Sequence, residues 1–183
     1  LVLVLILVIA WLLLSGLQNE LVVGGRDTTY AVTLICKMPI QVQEMRKKYI
    51  KNDNLPPHVT LGYLDPGFDS KEVMAKLRKF KNKTIRFNHL KVTTPFIALI
   101  PSDTSQLNDL ARSLGSDLRS GPRGGYHLSL AYRERGAPLA PVAAMFARKE
   151  ISNRLPIEAK VSEIRISKRR PGERWIKFKT VQF

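Results

Sequence analysis

The chain has 183 residues, 44% of them hydrophobic, which suits one domain with a real core or one domain plus an appendage. Its 30 Lys and Arg against 15 Asp and Glu give a net charge of +15 and a pI near 10.2. That balance suits a polyanionic partner such as RNA, or an anionic membrane face, beside the plainer reading of a domain with a lysine-rich surface. One cysteine, Cys36, and three histidines exclude an internal disulfide framework and any zinc site of spaced Cys and His.

The first predicted element is apolar throughout. Leu1 to Leu17 carries no charge, and all charged residues follow Asn19. As a helix it would span roughly 26 Å, slightly short of a bilayer core of about 30 Å. A membrane anchor, a signal-peptide core and a buried core helix are the three readings. The lack of a basic flank and of a small-x-small cleavage site before Gln18 weighs against the second. Apolarity on every side weighs against the third. Residues 1–18 are therefore expected to be an anchor or signal-like helix, and residues 19–27 a linker to a domain over 28–183. The chain starts at Leu1, so the span is open to extension upstream. Basic residues lie only on the carboxyl side, so the positive-inside tendency places the domain in the cytosol. Secretion, or a luminal domain after signal cleavage, is the alternative. Asn82-Lys83-Thr84, the one glycosylation sequon, would separate the two.

Thr28 to Lys37 is β-branched and apolar, and predicts a strand with Cys36 as a buried, inert thiol. Ile40 to Lys51 predicts a helix stopped by Pro56 and Pro57. His58 to Leu64 predicts a strand ended by the turn Asp65-Pro66-Gly67. A helix opens at Asp69-Ser70, with Val73, Met74, Leu77 and Phe80 on its apolar side. Thr84 to Thr93 and Pro95 to Ile100 read as strands, and Ser105 to Leu118 as a helix. Gly121 to Gly125 is a loop, Tyr126 to Arg133 a strand and Pro141 to Lys149 a short helix. Ala159 to Lys168 and Arg174 to Phe183 close the chain as a strand pair. Strands interspersed with helices, several pairs antiparallel, predict an α+β fold.

Chemistry is suggested by two short elements. Side chains at i and i+2 of a strand share a face, so His58 and Thr60 point one way and Val59 and Leu61 the other. The same holds for His127 and Ser129 against Leu128 and Leu130. A lone His-x-Thr is weak, but two copies in matching places of the element order are not. Cleaving a phosphodiester needs a base for the nucleophile and an acid for the leaving oxygen, and histidine serves as either near neutrality. Thr60 and Ser129 would donate to the non-bridging oxygens. Nothing in the pattern asks for a metal or a cofactor. His89 falls outside the pattern and reads as a surface or structural residue.

Pro57-His58-Val59-Thr60-Leu61-Gly62-Tyr63-Leu64 and Tyr126-His127-Leu128-Ser129-Leu130-Ala131-Tyr132 resemble the paired signatures of the two-histidine (2H) phosphoesterase superfamily. The resemblance covers roughly Thr28 to Phe183. It implies a bilobal α+β fold with two antiparallel-rich sheet lobes and outer helices around a central groove. It implies His58 and His127 as the acid–base pair, with Thr60 and Ser129 holding the phosphate. The second element is particularly similar to the cyclic-phosphodiesterase branch, which implies a groove-lining role for Tyr132; a core tyrosine is the alternative. The two histidines are 69 positions apart, compact for the family, which implies short groove-lining loops. Members open 2′,3′-cyclic phosphates, cleave 2′-5′ oligoadenylate or trim RNA ends, and the motifs do not separate these.

Two further features are weaker. Arg123, in Gly121-Pro122-Arg123-Gly124-Gly125, would pair with a phosphate that the glycine backbone lets close, or would simply sit in a flexible loop. Lys168-Arg169-Arg170 with Arg174 and Trp175 would hold a nucleic-acid backbone and stack a base, or would form a basic hairpin tip with Trp175 in the core. The leading expectation is a metal-independent phosphodiesterase that opens 2′,3′-cyclic phosphates on RNA, oligonucleotides or cyclic nucleotides. A 2′-5′ oligoadenylate phosphodiesterase is its rival. A non-catalytic module that binds RNA or anionic lipid, tethered to a membrane through residues 1–17, is the alternative of another class. No protein partner is inferable.

Overall fold

The computed structural model describes residues 28–49, 56–93, 96–132 and 148–183. The apolar run, the linker and most of the helix expected over 141–149 lie outside the described residues, although residues 148–152 are helical. In chain order the elements are β1 (Thr29–Lys37), α1 (Ile40–Tyr49), β2 (His58–Leu64), α2 (Ser70–Arg78), β3 (Thr84–Val92), β4 (Phe96–Pro101), α3 (Ser105–Leu114), β5 (Leu118–Ser120), β6 (Leu128–Tyr132), β7 (Ile157–Arg169) and β8 (Ile176–Gln182). This is the α+β arrangement that the sequence predicts, with every strand pair antiparallel.

Local chemistry sets several boundaries. Asp69 caps α2, its carboxylate accepting from the Lys71 amide at 2.7 Å. The helix expected to run to Leu118 stops at Leu114. Gly115 follows at φ +56, a conformation that α-helix cannot continue. A turn of 3-10 helix over Gly115–Asp117 then leads into β5, a strand too short to show a periodicity of its own. β5 lies against β2 at Tyr63 and Leu64. The close approach explains Gly62: a Cβ there would stand 2.5 Å from the Ser120 carbonyl oxygen and 2.8 Å from Leu118.

The strands form one sheet in the order β1-β2-β6-β4-β3-β7-β8, with β5 added to β2. Because β7 also pairs with β1, the path returns to its start through β7. One face of this ring carries the core. Val59, Leu61 and Leu128 are completely buried there and Leu130 nearly so. Burial of each such side chain contributes about 1.5–3 kcal/mol, so the alternation of the histidine strands is enforced by the core. Cys36 is buried in the same cluster, and its thiol donates to the Leu34 carbonyl at 3.4 Å. Burial pushes the thiol pKa up to about 12, so it is inert.

Candidate active site

The two histidine strands are neighbours. β2 and β6 pair with Val59 opposite Leu128. Antiparallel pairing about that one position puts His58 on the side of Ser129 and Thr60 on the side of His127. Val59 and Leu128 point into the core, so all four polar side chains share the opposite face. Each imidazole lies diagonal to the other, with a hydroxyl beside each. His127 is close enough to be among the groups that lower the His58 pKa.

Both rings are fixed in the same way. Nδ1 of His58 is 2.9 Å from the Pro56 carbonyl oxygen, and Nδ1 of His127 is 2.8 Å from that of Gly125. A carbonyl only accepts, so each Nδ1 carries the proton and donates it. In the neutral ring the basic lone pair then belongs to Nε2. Proline and glycine supply the two carbonyls for different reasons. Pro56 and Pro57 fix φ on the approach to β2 and keep α-helix from continuing into it. Ahead of β6 a turn closes from the Gly125 amide to the Pro122 carbonyl, with Gly124 at φ +75 and Gly125 at φ +81.

The surroundings of His58 are cationic. Arg46 of α1 is buried, and its Nε donates to the Ser129 carbonyl at 3.2 Å. On the other side β1 places Ile35 beside His58 and Thr33 beside Thr60, and β7 places Arg165 beside Thr33. Thr33 Oγ1 donates to the Arg165 carbonyl at 3.2 Å, and Arg165 pairs with Glu163 at 2.8 Å. The His58 pKa is lowered, first by burial, and then by the positive charges of Arg46, His127 and Arg165. The Pro56 carbonyl opposes them. His58 is therefore held neutral at physiological pH.

Comparison with known proteins decides the relationship. The family model described as the 2′-5′ RNA ligase superfamily matches residues 37–173 of the chain. The chain belongs to this superfamily, the two-histidine phosphoesterases. None of the curated protein sequences matches it. Among solved structures it is similar to E. coli LigT complexed with NADP+, at 15% identity and a TM-score of 0.47, covering 85% of this chain and 96% of that one. A structure described as a phosphoesterase is similar at 14% identity and a TM-score of 0.45, with the same coverage.

As a 2H phosphoesterase the chain keeps its four motif residues on one face, while the remaining expected site residues are dispersed. Tyr132 ends β6, opposite Phe96 of β4. Arg123 is exposed in the glycine turn whose last carbonyl holds His127. Trp175 is half-buried beside Arg169, whose guanidinium lies 4.8 Å from the ring centroid. Arg169 is six residues along β7 from Glu163, so this pair is about 20 Å from the His58 row. His89 is exposed on β3. Among the described residues, no three His, Cys, Asp or Glu gather as a metal would need.

Sequence reasoning missed Arg46 and Arg165. Arg46 sits in Met45-Arg46-Lys47-Lys48, where nothing marks one cation as buried. Arg165 is visible only once β7 is known to pair with β1, since its place depends on a partner 132 residues away.

Proposed function

We propose that the chain is a phosphodiesterase that opens 2′,3′-cyclic phosphates at RNA-type ends by histidine acid–base catalysis. The observation that carries the reading is the register of β2 on β6, which gathers His58, Thr60, His127 and Ser129 on one face with both Nδ1 atoms tied to backbone. Two Nε2 atoms then flank one phosphate position. His58, held neutral, takes a proton from the attacking water, and the new P–O bond forms. His127 gives a proton to the ribose oxygen as its bond to phosphorus breaks. Thr60 and Ser129 hydroxyls donate to the non-bridging oxygens, and Arg46 and Arg165 supply fixed positive charge as the phosphorane develops. The groups used are imidazole, hydroxyl and guanidinium, so the step as written needs no metal.

In this reading the ring of strands forms two lobes, with the groove where β2 meets β6 through their single paired position. The domain spans 28–183, with Tyr132 and Arg123 at the groove and residues 1–17 as its membrane anchor, facing the cytosol. Among the described residues no helix is long and apolar enough to cross a membrane. The family's description names 2′-5′ linkages, so 2′-5′ oligoadenylate belongs in the substrate panel.

The test is turnover of 2′,3′-cyclic nucleotides and of 2′-5′ oligoadenylate with EDTA present, in wild type, His58→Ala and His127→Ala. Turnover of the cyclic substrate that is lost in both variants is expected. Preference for the oligoadenylate would move the substrate but keep the chemistry. Absent turnover would leave the non-catalytic binding module, and turnover that survives either substitution would overturn the two-histidine mechanism.

A further inference from the structure

We propose that the β7–β8 hairpin is a second binding surface for the same substrate. It holds the RNA chain that leads to the histidine pair, so the preferred substrate is an oligonucleotide and not a mononucleotide. The inference rests on the phosphodiesterase reading and deepens it.

The strand register places the hairpin on the right side of the molecule. Glu163, Arg165, Ser167 and Arg169 alternate onto one face of β7. Glu163 lies in line with Ile35 and His58, and Arg165 with Thr33 and Thr60. Arg169 is thus on the site's face, about 13 Å beyond Arg165 along the strand. Ser167 between them is small and buried, and exposed Lys177 of β8 lies opposite it, so this stretch of the face is bordered by cations.

The chemistry at the far end suits a single-stranded polyanion. Residues 168–179 carry six Lys and Arg (Lys168, Arg169, Arg170, Arg174, Lys177 and Lys179) against the one acid Glu173. Arg165 spends its charge on Glu163, whereas the hairpin has a large cationic excess. Arg169 over the Trp175 ring holds the indole in place. A fixed aromatic face among cations stacks a base and tracks phosphates without reading sequence. Ile176, next to Trp175, is 53% exposed, a feature that an anionic membrane would also use. The shared face with the histidines favours the RNA chain.

The experiment compares a 2′,3′-cyclic mononucleotide with a single-stranded octanucleotide ending in a 2′,3′-cyclic phosphate. The full chain is used as wild type, as Trp175→Ala, and with Arg169, Arg170 and Arg174 all changed to Gln. Wild type is expected to favour the octanucleotide about tenfold in kcat/KM, the effect of a stacked base. Trp175→Ala should remove that preference through KM and leave the mononucleotide unchanged. The triple variant should flatten the salt dependence of the octanucleotide's KM. Equal kcat/KM for the two substrates in wild type would overturn the proposal. So would an equal loss on both substrates in the variants. Unchanged octanucleotide turnover, with lost co-sedimentation on phosphatidylserine–phosphatidylcholine vesicles, would assign the hairpin to membrane instead. If wild type turns over neither substrate, the phosphodiesterase reading fails. Octanucleotide binding by wild type and Trp175→Ala then decides the hairpin separately.

Discussion

His58 opens β2 and His127 stands one residue before β6, and each ring donates Nδ1–H to the carbonyl two residues back, at 2.9 and 2.8 Å. What surrounds the rings differs. His58 follows two prolines and lies near buried Arg46 and near Arg165, which with burial lower its pKa. His127 follows a glycine turn with two residues at positive φ. A shared backbone device therefore aims both Nε2 atoms, and around His58 burial and the nearby guanidinium groups hold the ring neutral.

The comparison breaks most sharply if either histidine works alone. His58→Ala or His127→Ala should each lower kcat by about 10²–10⁴ on a cyclic substrate, the usual contribution of a positioned acid or base. The double variant should be little worse than the weaker single variant, because groups acting on one transition state are not additive. Losses that multiply in full, measured by steady-state kinetics, would mean that the two rings serve separate sites.

The glycine turn tests whether aim is as important as identity. Gly125→Ala places a Cβ in open space but at φ +81, so its cost is backbone strain and not a clash. The strain should displace the carbonyl that holds His127, and kcat should fall about tenfold. Gly121→Ala also meets nothing within 4 Å and has no such φ, so it should be silent. Equal effects of the two would remove the turn's positioning role.

Much of this was legible in the chain. His58 to Leu64 announced its own strand because Val59 and Leu61 had to be buried, and that alternation also fixed where His58 and Thr60 point. Asp69 and the Asp65-Pro66-Gly67 turn bounded their elements by local chemistry alone. What lay hidden depended on pairing across long separations. Leu118 continued the apolar stripe of α3, yet it is used in β5 because Gly115 turns the chain. Arg46 looked like one more exposed cation, and only the packing of α1 on β6 brings it to Ser129 and His58.

Arg46 gives a smaller and more specific effect. Its positive charge disfavours protonated His58, so Arg46→Met should raise the His58 pKa. The acid limb of the pH–rate profile should move to higher pH. Turnover at pH 6 should then fall more than turnover at pH 8. An acid limb that stays in place while the rate drops evenly would make Arg46 a packing residue only.

The smallest effect is on stability, and it isolates His58 without any substrate. Its folded pKa lies below the ordinary 6.5, so the unfolded chain takes up the proton first as pH falls. Above about pH 6.5 neither state is protonated and the group has no influence. Below that, down to the folded value, the unfolded state binds more protons and stability declines, with a slope of at most about 1.4 kcal/mol per pH unit for one proton. His58→Asn should remove this component. The difference in urea midpoint between pH 7 and pH 5 should therefore shrink in the variant. Parallel midpoints in the two proteins would show that His58 is not held neutral by its surroundings.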